Sequence, residues 1–584
     1  MSAEPLTYAE TLKRNRELGE DSRLKALPRY EIPVLSNIVT SQLNSVLEFQ
    51  LRSKGINAHL VSGEYDNIVQ DAGRFASARS ALILWELSNL VDGLQYKAEI
   101  MGETDIASLE SKVQQEITFA LKALQAVPVV VISRFSSLLF SHAALRAGAY
   151  ERLGQKLNRF LETETAEFPN VILLDTDKII ARVSVAKSAD MRFFYSSKAL
   201  YTVDFFTELS AALVPIFLSM HGKTKKVLVF DCDNTLWKGI LGEDGAENIR
   251  MSAKQPSGAP FEEVQCIAGN LQKRGVLLGL CSKNNDADVK AVLSGHPDMT
   301  LRPADFAVFK VNWADKTSNL RQIAKELNVG LDSIVFVDDS DFEINLVRET
   351  LPEVETIQVP RNVHQYPGEL RRRLRSFFQL QASAEDLRRG EMYEEETLRV
   401  GERAAFESLE DYLASLQLQI TISQNDPSQI SRIAQMAQKT NQFNLTTHRY
   451  AEADIRRFLQ NGSHRVFSFS AADKFGDYGL VGAGIVVSSG TTAEIDSLLI
   501  SCRALGRNLE WAFLDRVMKR LSTSGVRKVR GTYLSTPRNT QVADFFDRAG
   551  FAVESTTAEK KTYVIEAESY RSHNLPYIGV IDGR

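Results

Sequence analysis

The sequence predicts a multidomain α/β protein, and three observations carry that expectation. Its 584 residues are enough for about three or four domains of ordinary size. Short, wholly apolar runs recur between helix-like stretches through residue 363, as parallel strands covered on both faces require. Beyond residue 417 the strand-like runs are joined by glycine turns, which marks a separate α+β region.

Composition excludes several classes of function. A net charge of -5 offers no basic surface to a nucleic acid. The four cysteines, Cys232, Cys266, Cys281 and Cys502, are widely spaced without zinc-type spacing, which fits a reducing compartment. The first residues are polar and no apolar run approaches the length of a bilayer span, so a cytoplasmic protein without a membrane partner is expected.

Residues 1–220 alternate strand and helix: IPVLSNI, a helix over 42–52, INAHLVSG, SALILWEL, a helix over 108–124, VPVVVIS and VILLDTDKII. That order predicts a parallel sheet with crossover helices. Near its end RFFYSSKALYT supplies aromatics either to an interaction surface or to the core.

Residues 222–363 hold the densest chemistry. The apolar run before Asp231 reads as a buried strand, and Asp231 and Asp233, two residues apart, leave its carboxyl end toward the same side. A pair of turn or capping aspartates, accompanied by Asn234 and Thr235, is the competing reading. Two further apolar runs end in Ser282 and in Asp338-Asp339, and between them a helix starts at about Lys316 with Leu320, Ile323 and Leu327 on one face. Phosphoryl transfer through an aspartyl enzyme needs a carboxylate nucleophile, an acid and base, donors for phosphoryl oxygens and carboxylates for a hard cation. In the stretch LWKGILGEDG, Trp237 and Lys238 are candidates for recognising an anion, as are Lys283, Asn284 and Asn285 after the second strand. Residues 364–416 carry charges of alternating sign with few turn formers, as expected of exposed connecting helices.

From 417 onward LQITIS, HRVFSFSAAD and TAEIDSLLIS read as strands and FGDYGLVGAGIVV as a hairpin. The last strand enters SCRALGR and an amphipathic helix carrying Leu509, Phe513, Leu514 and Val517; VRKVRGTYL and RNTQVADFFDRAGF follow. A loop feeding a helix N-terminus in this way is a layout that receives a pyrophosphate.

These motifs resemble known families. DCDNT, Ser282, Lys316 and the Asp338-Asp339 pair resemble the four motifs of the haloacid dehalogenase (HAD) superfamily of phosphatases. The resemblance implies Asp231 as nucleophile and Asp233 as general acid/base, with Ser282, Lys316 and Asn284 on the phosphoryl group. It further implies Mg²⁺ on Asp231, Asp233 through its backbone carbonyl, Asp338 and, in or beyond the ligand shell, Asp339. The stretches from Asp231 to Ser282 and from Ser282 to Lys316 leave no room for the large cap domains that HAD enzymes insert there. Residues 1–220 resemble the SGNH-hydrolase fold, with Ile38 where its nucleophile would fall and no late Asp-x-x-His. Residues 417–584 resemble the GNAT acyltransferase fold, whose R-x-x-G loop corresponds to Arg503, Gly506 and Arg507, with Asn508 in place of the final small residue; the resemblance implies that the groove at this loop takes coenzyme A or the phosphopantetheine arm of a carrier protein.

The combination is similar to the FkbH-like proteins of HAD subfamily IIIC. That resemblance implies a bifunctional enzyme that dephosphorylates 1,3-bisphosphoglycerate and loads the glyceryl unit onto the phosphopantetheine thiol of an acyl carrier protein for polyketide biosynthesis. An acyl phosphate can pass through an enzyme thiol. Cys502, beside Arg503, is the first candidate acyl acceptor and Cys232, between the aspartates, is the alternative, with core packing behind the strand its preferred reading; Cys266 on a helix and Cys281 on a strand read as structural. The competing readings are a plain Mg²⁺-dependent phosphatase with accessory binding domains, an amine acetyltransferase, and a carrier-protein scaffold without catalysis.

Overall fold

The computed structural model describes residues 6–141, 146–378, 395, 399, 402–403, 406–440, 442–501, 504–536 and 539–583. The chain is a multidomain α/β protein in two compact units, Met1–Phe217 and Leu218–Arg584, with two parallel sheets and one mixed sheet.

In the first unit β1 (Tyr30–Ser36), β2 (Ala58–Ser62), β3 (Ala81–Leu84), β4 (Val130–Ser133) and β5 (Val171–Leu174) form a parallel sheet ordered β2-β1-β3-β4-β5. VILLDTDKII divides into β5 and the helix Thr176–Val183, because Asp175 caps that helix by accepting from the Lys178 N–H at 3.2 Å. The strand order reverses between β1 and β3, where a doubly wound sheet opens its ligand crevice. Here the groups at that point satisfy one another. Ser36 donates to the Leu84 carbonyl at 2.9 Å, Asn37 exchanges hydrogen bonds with the Glu86 backbone at 2.7 and 3.0 Å, and the Tyr201 hydroxyl donates to the Glu86 carboxylate at 2.6 Å. Ile38 is buried. In RFFYSSKALYT, Phe194 and Tyr201 are buried and Phe193 and Tyr195 are exposed. The helix Val203–Met220 corrects the reading that no run is long enough for a membrane, being apolar and long enough to cross one. Half of it is nevertheless buried, and Leu209, Leu213 and Phe217 face a core.

In the second unit β6 (Val227–Phe230), β7 (Leu277–Ser282), β8 (Phe306–Val311), β9 (Ile334–Asp338) and β10 (Glu355–Gln358) form a parallel sheet ordered β10-β9-β6-β7-β8. Alternation along β6 sends Leu228 and Phe230 into one core and Val227 and Val229 into the core on the other face. The order reverses between β6 and β9, so the crevice opens where Asp231 and Asp338 leave the sheet. Between β6 and β7 the chain makes a flap and the helix Ala259–Lys273, which packs Phe261, Val264, Ala268 and Leu271 into the core; between β7 and β8 it makes the helix Asp286–Gly295. Among the described residues neither insert builds a lid. Of the charged connecting stretch, Tyr366–Arg373 is helical, and 379–394 lie outside the described residues.

The third sheet contains β11 (Leu418–Gln424), β12 (Phe443–Asn444), β13 (His464–Asp473), β14 (Gly476–Ser489), β15 (Thr492–Ile500), β16 (Lys528–Leu534), β17 (Ala552–Thr556), β18 (Lys560–Glu566) and β19 (Ile578–Asp582). Its order is β17-β18-β16-β15-β14-β13-β11-β19, with β12 against β15. The expected hairpin FGDYGLVGAGIVV is almost wholly β14, and its turn precedes Gly476, whose N–H donates to Asp473. β15 and β16 run parallel only as far as Ile495 and Gly531. Beyond that point β12 enters, pairing with Leu499 and Ile500, while the Leu534 N–H donates to the Leu445 carbonyl at 2.8 Å.

Candidate active site

The crevice between β6 and β9 assembles the predicted carboxylates around a lysine. Asp315 caps the helix Lys316–Glu326 through the Thr317 and Ser318 N–H groups, which places Lys316 in its first turn facing the sheet. The Lys316 ammonium lies 2.9 Å from Asp231 Oδ1 and 2.5 Å from Asp338 Oδ2, with all three side chains buried. Burial alone would lower the lysine's pKa, but Asp231 and Asp338 outweigh it and raise it. Asp338 is pushed up, to about 7, by burial and by the charge of Asp231, against the pull of Lys316. Asp339 is partly exposed beside them and is raised by burial. Asp231, Asp338 and Asp339 each offer an oxygen within 4.8 Å of the others, a donor set suited to a hard divalent cation.

Asp233 is held apart from that trio. Its Oδ1 accepts from Trp237 Nε1 at 2.9 Å and from the Leu241 N–H at 3.0 Å, and its Oδ2 accepts from Asn284 Nδ2 at 2.9 Å. Burial raises its pKa, which the Leu241 N–H and Trp237 partly offset. A carboxyl raised by burial is suited to a general acid. The turn that delivers it uses Asn234 at φ 50° and Gly239 at φ 110°, where an added Cβ would meet Asp244 Oδ2 at 2.8 Å. The run therefore forms a flap rather than the helix start that capping aspartates would make.

Three recognition expectations change here. Trp237 is fully buried and orients Asp233 instead of facing a substrate. Asn284, expected on the phosphoryl group, places its amide on Asp233. Lys283 is paired with Glu343 at 2.7 Å, while Lys238 is exposed. Ser282 ends β7 in a buried position. Trp237→Phe removes one donor from the Asp233 carboxylate and so raises its pKa further. Phosphate release is expected to fall about tenfold and its pH profile to move to higher pH, which a pH–rate series checks.

Cys232 shares the core with Leu228 and Phe230, and burial first, then Asp231, pushes its thiol far up, which disfavours a thiolate. Cys281 is buried and likewise raised by burial. Cys266 is exposed, so its expected packing role falls away. Cys502 and Arg503 lie outside the described residues. Gly506 takes φ 77°, and Arg507 is buried with its guanidinium 5.1 Å from the Tyr478 ring centre. The Asn508 amide donates to the Tyr577 hydroxyl at 2.8 Å, and the Glu510 carboxyl occupies the first turn of the following helix, Leu509–Thr523.

No protein-family model matches the chain, and no curated protein sequence matches it. Among solved structures, it is similar to the N-terminal part of BF1531 from Bacteroides fragilis, described as containing a phosphatase domain complexed with Mg. The identity is 25% and the TM-score 0.56, over 65% of this chain and 100% of that one. Shorter matches are the ribosomal-protein-S18-alanine N-acetyltransferase of Escherichia coli, 13% identical over 26% of this chain and 97% of that one, and a mutant form of the spermidine/spermine N-acetyltransferase SpeG of Vibrio cholerae, 14% identical over 26% and 95%. Both have a TM-score of 0.22, too low to carry an assignment.

Proposed function

We propose that this chain is a cytoplasmic, magnesium-dependent enzyme of the FkbH-like type. It removes phosphate from 1,3-bisphosphoglycerate and passes the glyceryl group to the phosphopantetheine thiol of an acyl carrier protein, for polyketide biosynthesis. The observation that carries the phosphatase part is the convergence of Asp231, Lys316 and Asp338 beside a separately held Asp233 at the strand-order reversal. The similarity to a phosphatase-containing structure supports the same part.

In this reading Asp231 Oδ attacks phosphorus, the bond from phosphorus to the ester oxygen breaks, and Asp233 gives that oxygen its proton. Asp233 then takes a proton from the water that cleaves the aspartyl phosphate. The Leu241 N–H, Trp237 and Asn284 keep its carboxyl aimed, and Lys316 holds charge beside the phosphoryl oxygens. Asp231, Asp338 and Asp339 would hold Mg²⁺, which neutralises phosphoryl charge when bound.

The open crevice supports a macromolecular acceptor. Ile240, Trp313 and Phe342 are exposed, each on a chain segment that follows the carboxyl end of a strand. A carrier protein covering these side chains would exclude water as a lid does. One observation favours a plain phosphatase instead. β12 fills the gap between β15 and β16, which leaves no slot for a pantetheine arm between those two strands.

The test generates 1,3-bisphosphoglycerate in situ with Mg²⁺ and holo carrier protein, and follows phosphate release together with the carrier's intact mass. Glyceryl-loaded carrier, with both phosphates released, is the expected result. Phosphate released while the carrier's mass stays unchanged would leave only the phosphatase.

A further inference from the structure

The carboxyl edge of the second unit's parallel sheet carries a further ion pair, to which the reaction above gives no role. Lys283 follows the last residue of β7, and its ammonium lies 2.7 Å from Glu343 Oε1 on the helix Asp341–Thr350, which follows β9. In the sheet order β7 and β9 flank β6, so the pair joins the segments on either side of the strand that delivers Asp231. Both of its ends are tied to the site's carboxylates. Next to Lys283, Asn284 places its amide on Asp233 at 2.9 Å. On the other side, Asp338 accepts from the Ser340 N–H at 2.8 Å, and Ser340 caps the helix by accepting from the Glu343 N–H at 3.4 Å. Asp315, which caps the helix beginning at Lys316, is held low first by the Thr317 hydroxyl and further by the charge of Lys283.

The pair is poorly built for stability. The Glu343 side chain is 7% exposed, and its Oε2 has no hydrogen-bond partner among the described residues. A buried carboxylate satisfied on one oxygen only contributes little to folding, because its desolvation offsets the attraction to one ammonium. Its effect is to hold that ammonium in place. Lys283 is 38% exposed, and Glu343 is its one partner among the described residues, so the other donors of the ammonium are open. Lys316 differs, because its charge is committed to Asp231 and Asp338. Lys283 is therefore an anchored, exposed cation with open donors, one residue from a side chain that touches Asp233.

We infer that Lys283, positioned by Glu343, is the specificity residue of this crevice and binds a second anionic group of the substrate, a carboxylate or a phosphate. The assignment rests on the reading above that Asp231 receives a phosphoryl group here. A substrate anion shares the ammonium with Glu343 through charge-assisted N–H···O bonds, whereas a neutral group in the same place gains no ion pair. The substrate class is thus a small molecule with two anionic groups, of which 1,3-bisphosphoglycerate is one, in preference to a simple phosphomonoester.

The test uses the full chain with Mg²⁺ and measures phosphate release from glycerol 3-phosphate, 3-phosphoglycerate and glycerol 1,3-bisphosphate. These share a three-carbon skeleton and differ at one carbon, which carries a hydroxyl, a carboxylate or a phosphate. The wild type is expected to show a kcat/KM about 30-fold higher for at least one of the last two than for the first. A gain with 3-phosphoglycerate alone assigns a carboxylate to Lys283, and a gain with the bisphosphate alone assigns a phosphate. Lys283→Gln should remove the preference and Lys283→Arg should keep part of it. Glu343→Gln, a change in a positioning residue, should raise KM for the preferred substrate more than it lowers kcat. Where melting shows that Lys283→Gln unfolds by stranding the Glu343 carboxylate, Lys283→Gln with Glu343→Gln replaces both charges and should lose the preference likewise. No preference in the wild type, or a preference that survives Lys283→Gln, would overturn the assignment. Release of no phosphate from any of the three would sink the phosphatase reading instead. Calorimetric titration of the wild type and Lys283→Gln with the same compounds then decides: equal binding of all three overturns the assignment, and tighter binding of a two-anion compound that Lys283→Gln loses upholds it.

Discussion

Asp231→Asn is expected to lower phosphate release by a factor of about 10⁴ or more, because an amide cannot serve as the phosphoryl acceptor and the remaining groups act only around that step. The change preserves shape. Lys316 keeps its contact with Asp338, so the fold should survive with little change in Tm. Phosphate release from a generic phosphomonoester with Mg²⁺, with melting curves on the same samples, separates lost chemistry from lost structure. If Asp231 were only a turn residue, activity would fall no further than stability does.

Lys316→Met should have the largest effect on stability. The lysine is the cation between Asp231 and Asp338, and removing it leaves two buried carboxylates facing each other. Breaking a buried ion pair from one side costs about 3–5 kcal/mol. The sign of the pH dependence follows. Without the lysine, burial and mutual repulsion hold the carboxyl pKa values above their unfolded values, so the folded variant binds more protons than the unfolded chain. Its deficit relative to the wild type should therefore shrink as pH falls from about 8 to about 5.5. Mg²⁺ should raise the variant's Tm more than the wild type's, since the same carboxylates are then free to take it. Denaturant melts at two pH values, with and without Mg²⁺, measure all three effects.

The parts of the site legible in the sequence are those fixed by strand ends. A wholly apolar run stopping at Asp231, another at Ser282 and a third at Asp338 is enough to place three groups on one edge of a parallel sheet. Lys316 was legible because a helix start is a local signal. The supports of Asp233 were not. Trp237 reaches it across a turn in which Asn234 takes positive φ, and Asn284 reaches it because β7 lies next to β6, neither of which periodicity reports. β12 is two residues long, too short for any repeat to register, yet it decides whether the gap between β15 and β16 is open. The long apolar helix Val203–Met220 went unread because its charges and small residues break the run without lowering its mean hydropathy below that of a span.

The central claim, that Asp231 is the phosphoryl acceptor, is tested most directly by rapid quenching of the wild type during turnover. Borohydride reduction of the acyl phosphate to homoserine and peptide mass mapping then locate the group. The account predicts homoserine at position 231, dependent on Mg²⁺ and absent from Asp231→Asn. Continued phosphate release with no modification at Asp231, or with the modification on another carboxylate, would contradict it.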